Sequence, residues 1–235
     1  MVSYDKITII PLAASIVTNI GDNAMKIVFL KISNMKYYKG VCKNDTPSYG
    51  GDYVKENGYG HEEYNFHPMQ MEDSDAIECI GFAEPKSNKG TRNTFHIENI
   101  EGCSAMKNEP CVDNVLVVWC AKYNDERGIT VVGWYKNATI FRELHNWIYV
   151  AKDGSESERC YNVYANADDC TLLPYGERNR HIWTVPLSKY TRSYGFGQSM
   201  VWYPTEPEAT NYIEQLVKSI ENYDGENWLD KYPEI

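Results

Sequence analysis

The stretch NVLVVWCAKYNDERGITVVGWYKNATIFR, residues 114–142, reads as a β-hairpin: two apolar runs rich in Val, Ile, Trp and Tyr flank a polar turn from Asn124 to Gly128. Its second arm ends in VVGWYKNATIFR (131–142), where two rings, a cation and an amide follow one another at Trp134, Tyr135, Lys136 and Asn137. Alternation along a strand sends Trp134 and Lys136 to one face and Tyr135 and Asn137 to the other. A face that pairs a ring with a cation suits flat, polar-edged, anionic ligands, and nucleobases are such ligands.

Outward from the hairpin the chain is punctuated by further short apolar runs: ITII (7–10), MKIVFLKI (25–32), AIECIGFA (76–83), NWIYVAK (146–152) and YNVYANA (161–167). Runs of this length and composition are strands more often than helices. One long helical pattern stands near the end, from Glu208 to Tyr223, with Ile213, Leu216, Val217 and Ile220 at helical spacing and Pro207 placed to open the first turn. The expected architecture is therefore α+β: a curved mixed β-sheet or small barrel with flanking helices and a C-terminal amphipathic helix. At 235 residues the chain fits one domain over 1–235, with a polar segment at 84–111 that reads as an insertion. A glycine-rich, charged loop, YGGDYVKENGYGHEEYNF, occupies 49–66.

Thirty-three acidic against 23 basic residues give a net charge of −10, which argues against non-specific binding to nucleic acid but leaves room for a local basic patch. Seven cysteines without C-x-x-C spacing point to reduced thiols and a cytoplasmic setting, and the N-terminal VSYDKITIIPLAASIV reads as strand and not as export signal. No apolar run approaches the ~18 residues of a spanning helix, so no membrane partner is expected.

Catalytic signatures are sparse. The sequence contains no G-x-x-x-x-G-K-[ST], no H-E-x-x-H and no G-x-S-x-G, and its five histidines are not spaced with cysteine as a zinc site requires, so neither metal nor cofactor is expected. Asp73 or Asp75 followed by Glu84-Pro85-Lys86 imitates the acid…E-x-K pattern of Mg²⁺-dependent nucleases, although Pro85 sits badly in a strand. Six Trp and 19 Tyr exceed what a core of this size needs, and Trp134 and Trp202 stand out for their polar neighbours. In the run from 172 to 204, Arg178, Arg180 and Arg192 can hold phosphates, Gly195 and Gly197 permit close backbone approach, and Gln198 offers an amide to a base edge.

Three blocks, GGDYVKENGYGHEEYNF, VVGWYKNATIFR and FGQSMVWYP, together resemble the N-terminal modules of modification-dependent (type IV) restriction endonucleases of the HNH kind, which are themselves similar to the EVE and YTH branch of the PUA superfamily. The resemblance implies a small curved sheet or barrel whose pocket accepts a modified base flipped out of DNA, with a role in restriction or phage defence. Carried over by position, the base-binding residues are Asp52, Tyr53, His61, Glu63 and Asn65 in the first block, Trp134, Tyr135 and Lys136 in the second, and Gln198, Ser199 and Trp202 in the third. Phosphate contacts fall to Arg142, Arg178, Arg180 and Arg192. No H-N-H nuclease follows the module in this sequence, so the resemblance implies a non-catalytic reader of DNA carrying a modified base, with any nuclease supplied by another chain. A Mg²⁺-dependent nuclease and a β-rich protein-interaction module are the alternatives.

Overall fold

A computed structural model describes residues 6–9, 25–49, 60–71, 75–85, 94–124, 128–150 and 156–234. Nine strands join in one mixed sheet: β1 (Lys6–Ile9), β2 (Ile27–Ile32), β3 (Pro68–Met71), β4 (Ile77–Gly81), β5 (Cys111–Asn124), β6 (Gly128–Val150), β7 (Glu156–Asn166), β8 (Cys170–Leu172) and β9 (Val201–Trp202). The spatial order is β1-β3-β4-β7-β6-β5-β2-β9, with β8 laid beside β6. The pairs β1–β3 and β2–β5 are parallel and the others antiparallel. Because β1 also pairs with Trp147 and Ile148 of β6, the ladder β1-β3-β4-β7-β6 returns on itself at that end. A single helical turn, α1 (Ser188–Thr191), precedes the one long helix among the described residues, α2 (Thr210–Glu221).

The 114–142 hairpin is the centre of this arrangement, and period-2 alternation sorts its side chains into two cores. Val115, Val117, Trp119 and Ala121 of β5 join Val28, Leu30 and Ile32 of β2 on one face. Val118 and Cys120 join Ile27 and Phe29 on the other, where α2 lays down Leu216, Val217 and Ile220. Both faces of β5 and β2 are thus buried, which explains why these runs are apolar almost without interruption. A third cluster of Tyr64, Met69, Ile80, Trp147 and Tyr161 fills the end where β1, β3 and β4 meet β6 and β7.

Several sequence expectations change at the level of elements. The run 129–141 and the described part of the run 146–152, up to Val150, belong to one 23-residue strand, β6, whose register slips between Ile140 and His145. The polar residues there resemble a turn in sequence because in that half β6 keeps one side towards solvent. Of the segment expected as a polar insertion, 84–111, the described part carries Phe95, Ile97, Ile100 and Cys103 into the first core. Arg142 holds this segment by donating to the carbonyls of Phe95, Met106 and Glu109 and to the Glu98 carboxylate.

Candidate functional site

Within the VVGWYKN motif Gly133, Trp134, Tyr135 and Asn137 are structural. Gly133 lies where β8 and Phe66 press against β6, and a Cβ there would stand 2.2 Å from the Thr171 carbonyl oxygen. Trp134 is 1% exposed and packs on Trp183 at 5.5 Å and edge-on against Tyr223 at 5.4 Å. Tyr135 is fully buried in the opposite core, against Trp119 and Phe66, and burial raises its phenol far above the ordinary value. Asn137 adopts a left-handed conformation, φ 49°, at a bulge in the β5–β6 ladder and donates to Asp169. That bulge ends the simple alternation beyond Tyr135; Lys136 is half-exposed beside it.

Trp202 is 5% exposed, stacked on Phe29 at 4.6 Å, with its indole N–H donated to Glu206. Trp134 and Trp202 do share one environment, as expected, but it is the core under α2 and not a concavity. The roles assigned to Trp134, Tyr135 and Trp202 as base-stacking residues are therefore corrected: each spends its ring on the core.

The first block fares similarly where it is described. Asp52 and Tyr53 lie outside the described residues. Asn65 is buried and clamps the Phe82 backbone, donating to its carbonyl and accepting from its amide. Glu63 is buried against Arg159 at 3.1 Å; burial raises its carboxyl above the usual value although Arg159 pulls the other way. His61 packs its ring on Phe82 and accepts the Cys160 amide, and burial followed by Arg159 lowers its pKa.

Two of the four expected phosphate ligands are likewise committed elsewhere. Arg178 is 0% exposed and donates to the carbonyls of Leu173 (3.0 Å), Met35 (2.6 Å) and Lys36 (2.8 Å). Asp45 accepts the amides of Lys36, Tyr37 and Tyr38 from the other side, so the 35–38 turn is pinned between a buried cation and a buried anion. Arg142 is the staple described above, and Arg178 and Arg142 are corrected from phosphate ligands to structural donors. Arg180 is exposed and paired with Glu177, and Arg192 is exposed at the left-handed end of α1, φ 70°. For the nuclease alternative, Asp75 and Glu84 are exposed, Asp73 and Lys86 lie outside the described residues, and among the described residues no three His, Cys, Asp or Glu gather as a metal site requires.

A cavity of about 860 Å³ opens on the α2 side of the sheet, between the turn end of the β5–β6 hairpin and the 184–198 segment. Val185 is fixed to β6 through the Ile129 carbonyl. The loop that follows closes on itself: Phe196 donates to the Pro186 carbonyl, Ser188 donates to the Phe196 carbonyl, and the Thr191 hydroxyl bonds both amide and carbonyl of Tyr194. Gly195, φ +99°, is required by this closure, since a Cβ there would meet the Pro186 carbonyl at 2.4 Å.

The floor of the cavity is apolar, built from Ile129, Val185, Phe196 and the ring of Tyr212. Its cations are Lys31 of β2, Lys122 of β5 and Lys189 of α1, with His181 and the Gln198 amide beside them; among the described residues that line it none is acidic. Burial lowers the Lys31 pKa. Tyr190 is 74% exposed at the rim, with the Lys189 ammonium 4.6 Å from its ring centre. A second cleft, of about 690 Å³ beside the end of α2, mixes Arg180 and Lys218 with Glu177, Asp224 and Glu226 and has no such polarity of charge.

Of the described residues expected to bind a base, only Gln198 lines the cationic cavity; Ser199 sits beside it, accepting the Val201 amide. Lys31, Lys122, Tyr190 and Tyr212 were missed. Lys31 carried a signal, as the one cation inside the apolar run IVFLKI (27–32), whereas nothing local marked Tyr212 among the helical residues. Comparison with family models, characterised proteins and solved structures returned no match.

Proposed function

We propose that the chain is a non-catalytic reader of DNA carrying a modified base, and that the base is accepted in the cavity between the β5–β6 hairpin and the 184–198 loop. The observation that carries this reading is the charge of that cavity: among the described residues three lysines and no carboxylate line an apolar floor, in a chain of net charge −10. A volume of about 860 Å³ falls in the range of small-molecule sites and admits one nucleotide. Extruding a base costs a few kcal/mol of stacking and pairing. Stacking on an exposed ring such as Tyr190 recovers ~1–3 kcal/mol, and the apolar floor supplies more.

Lys122 and Lys189 then contact the flanking phosphates, while the acidic remainder of the surface disfavours ordinary duplex. With two or three phosphate contacts, the slope of log K against log salt is expected near −2 to −3, at about −0.9 per contact. The ladder closed through β1 supports a PUA- or EVE-like barrel as the fold relation. Restriction or phage defence, with cleavage supplied by another chain, is the setting this reading implies.

The experiment is fluorescence anisotropy with short duplexes, plain and carrying methylated, hydroxymethylated or further oxidised cytosine or methylated adenine, at about 0.15 M salt. The expected result is tight binding of at least one modified duplex and weak binding of the plain one. Equal or absent binding across the whole set overturns the proposal. A protein-interaction module is the second reading, favoured by the burial of Trp134 and Trp202, and it predicts no discrimination among duplexes.

A further inference from the structure

Two residues that line the cavity carry donors with no acceptor among the described residues. Lys31 enters from β2, and among the described residues its ammonium has no carboxylate partner; its nearest ring, Phe196, has its centre 5.7 Å away. Tyr212 enters from α2, its ring near those of Phe29 and Trp202 at 6.2 and 6.1 Å. Its hydroxyl is buried without a hydrogen-bond partner. Both groups lie within electrostatic reach of the Cys120 thiol, which burial pushes up and keeps neutral, so the cysteine offers neither of them a counter-charge.

A half-buried ammonium without a counter-charge and a buried hydroxyl without an acceptor are each a cost to the folded chain. They stand at one apolar concavity, on elements that approach it from opposite sides. An anionic oxygen group on a ligand can satisfy both. A carboxylate matches the pair, with one oxygen for the ammonium and one for the hydroxyl. The remaining cations, Lys122 and Lys189, are then left for backbone phosphates at the rim.

Resting on the proposed function above, we propose that the modified base this cavity selects carries a carboxylate, with 5-carboxylcytosine the compact example, and that Lys31 and Tyr212 bind it. The test compares duplexes with a central cytosine, 5-formylcytosine or 5-carboxylcytosine at pH 7.5 and about 0.15 M salt. The formyl base is nearly the same size and uncharged. Wild type is expected to bind the carboxyl duplex about tenfold or more tighter than the formyl one, the scale of one charge-assisted hydrogen bond.

Lys31→Gln should reduce that ratio to about twofold, and Tyr212→Phe, which keeps the ring in the core, should lower it about three- to tenfold. Equal binding of formyl and carboxyl duplexes by wild type overturns this inference while leaving the reader function standing. A Lys31→Gln variant that weakens all three duplexes alike also overturns it, because Lys31 would then be a phosphate contact. Failure to bind any modified duplex overturns the reader function itself.

Discussion

Replacing Arg178 separates a structural arginine from a phosphate ligand. Its guanidinium makes three charge-assisted bonds to carbonyls of two segments far apart in sequence, and it lies 5.9 Å from the Tyr38 ring and 5.4 Å from that of Tyr175. Bonds of this kind are worth about 1.5–3 kcal/mol each, and truncation leaves buried carbonyls without a donor. The three act as a unit, and water enters part of the space, so we set the loss for Arg178→Ala at about 4 kcal/mol rather than their sum. For a chain of this length that is a fall in Tm of roughly 8–16 °C, at about 2–4 °C per kcal/mol. Arg178→Lys should recover less than half, because one ammonium cannot reach three carbonyls that the planar fork serves together. The assay is thermal and urea unfolding followed by circular dichroism, with DNA binding measured on the folded protein well below Tm. A variant whose Tm stays within about 2 °C of wild type while binding is lost would refute the reasoning and return Arg178 to the phosphate contacts.

Gly133→Ala should lower stability by about 3 kcal/mol, seen as a reduced urea midpoint at unchanged slope, because the new methyl meets the Thr171 carbonyl and the Phe66 ring. Gly197→Ala at the cavity, where the nearest atom is the Ser188 hydroxyl at 3.4 Å, should stay within about 0.5 kcal/mol and serves as its contrast. Burial works against ionising Glu98, but bonds from its own backbone amide, from Arg142 and from His96 outweigh it and hold the carboxyl at about 2, below the usual value near 4.5. A carboxyl depressed by folding stabilises fully above its unfolded value and loses that contribution as pH falls from about 4.5 through 2. Wild type and Glu98→Gln should accordingly differ in urea midpoint at pH 6 and converge near pH 2; a difference that persists undiminished at pH 2 refutes the assignment.

Strand composition and period made the hairpin, the mixed sheet and the C-terminal helix legible: α2 spans Thr210–Glu221 inside the expected 208–223. The strands β8 and β9, of three and two residues, were not legible, because so short a segment is defined by the partner it pairs with. The candidate site was harder to read for a related reason. A tryptophan beside polar residues looks exposed in one dimension, yet Trp134 is covered by Trp183 and Tyr223, which lie about 50 and 90 positions later in the chain. Gln198 could be found because its glycine-flanked loop leaves the amide exposed. Lys31 and Tyr212 become neighbours of one cavity only when β2 and α2 meet over it, and no spacing along the chain encodes that meeting.

The 23-residue β6 holds β5 and β8 along its first half and β7 and β1 along its second. It contributes Trp134 to one core, Tyr135 to the core across the sheet and Trp147 to the cluster at the far end. No one of these cores can melt without releasing a wall of the others. The strand therefore makes the described fold one cooperative unit, in which loosening at Trp147, eighteen residues along β6 from Ile129 at the cavity, reaches the cavity as a change in the population of the whole folded state.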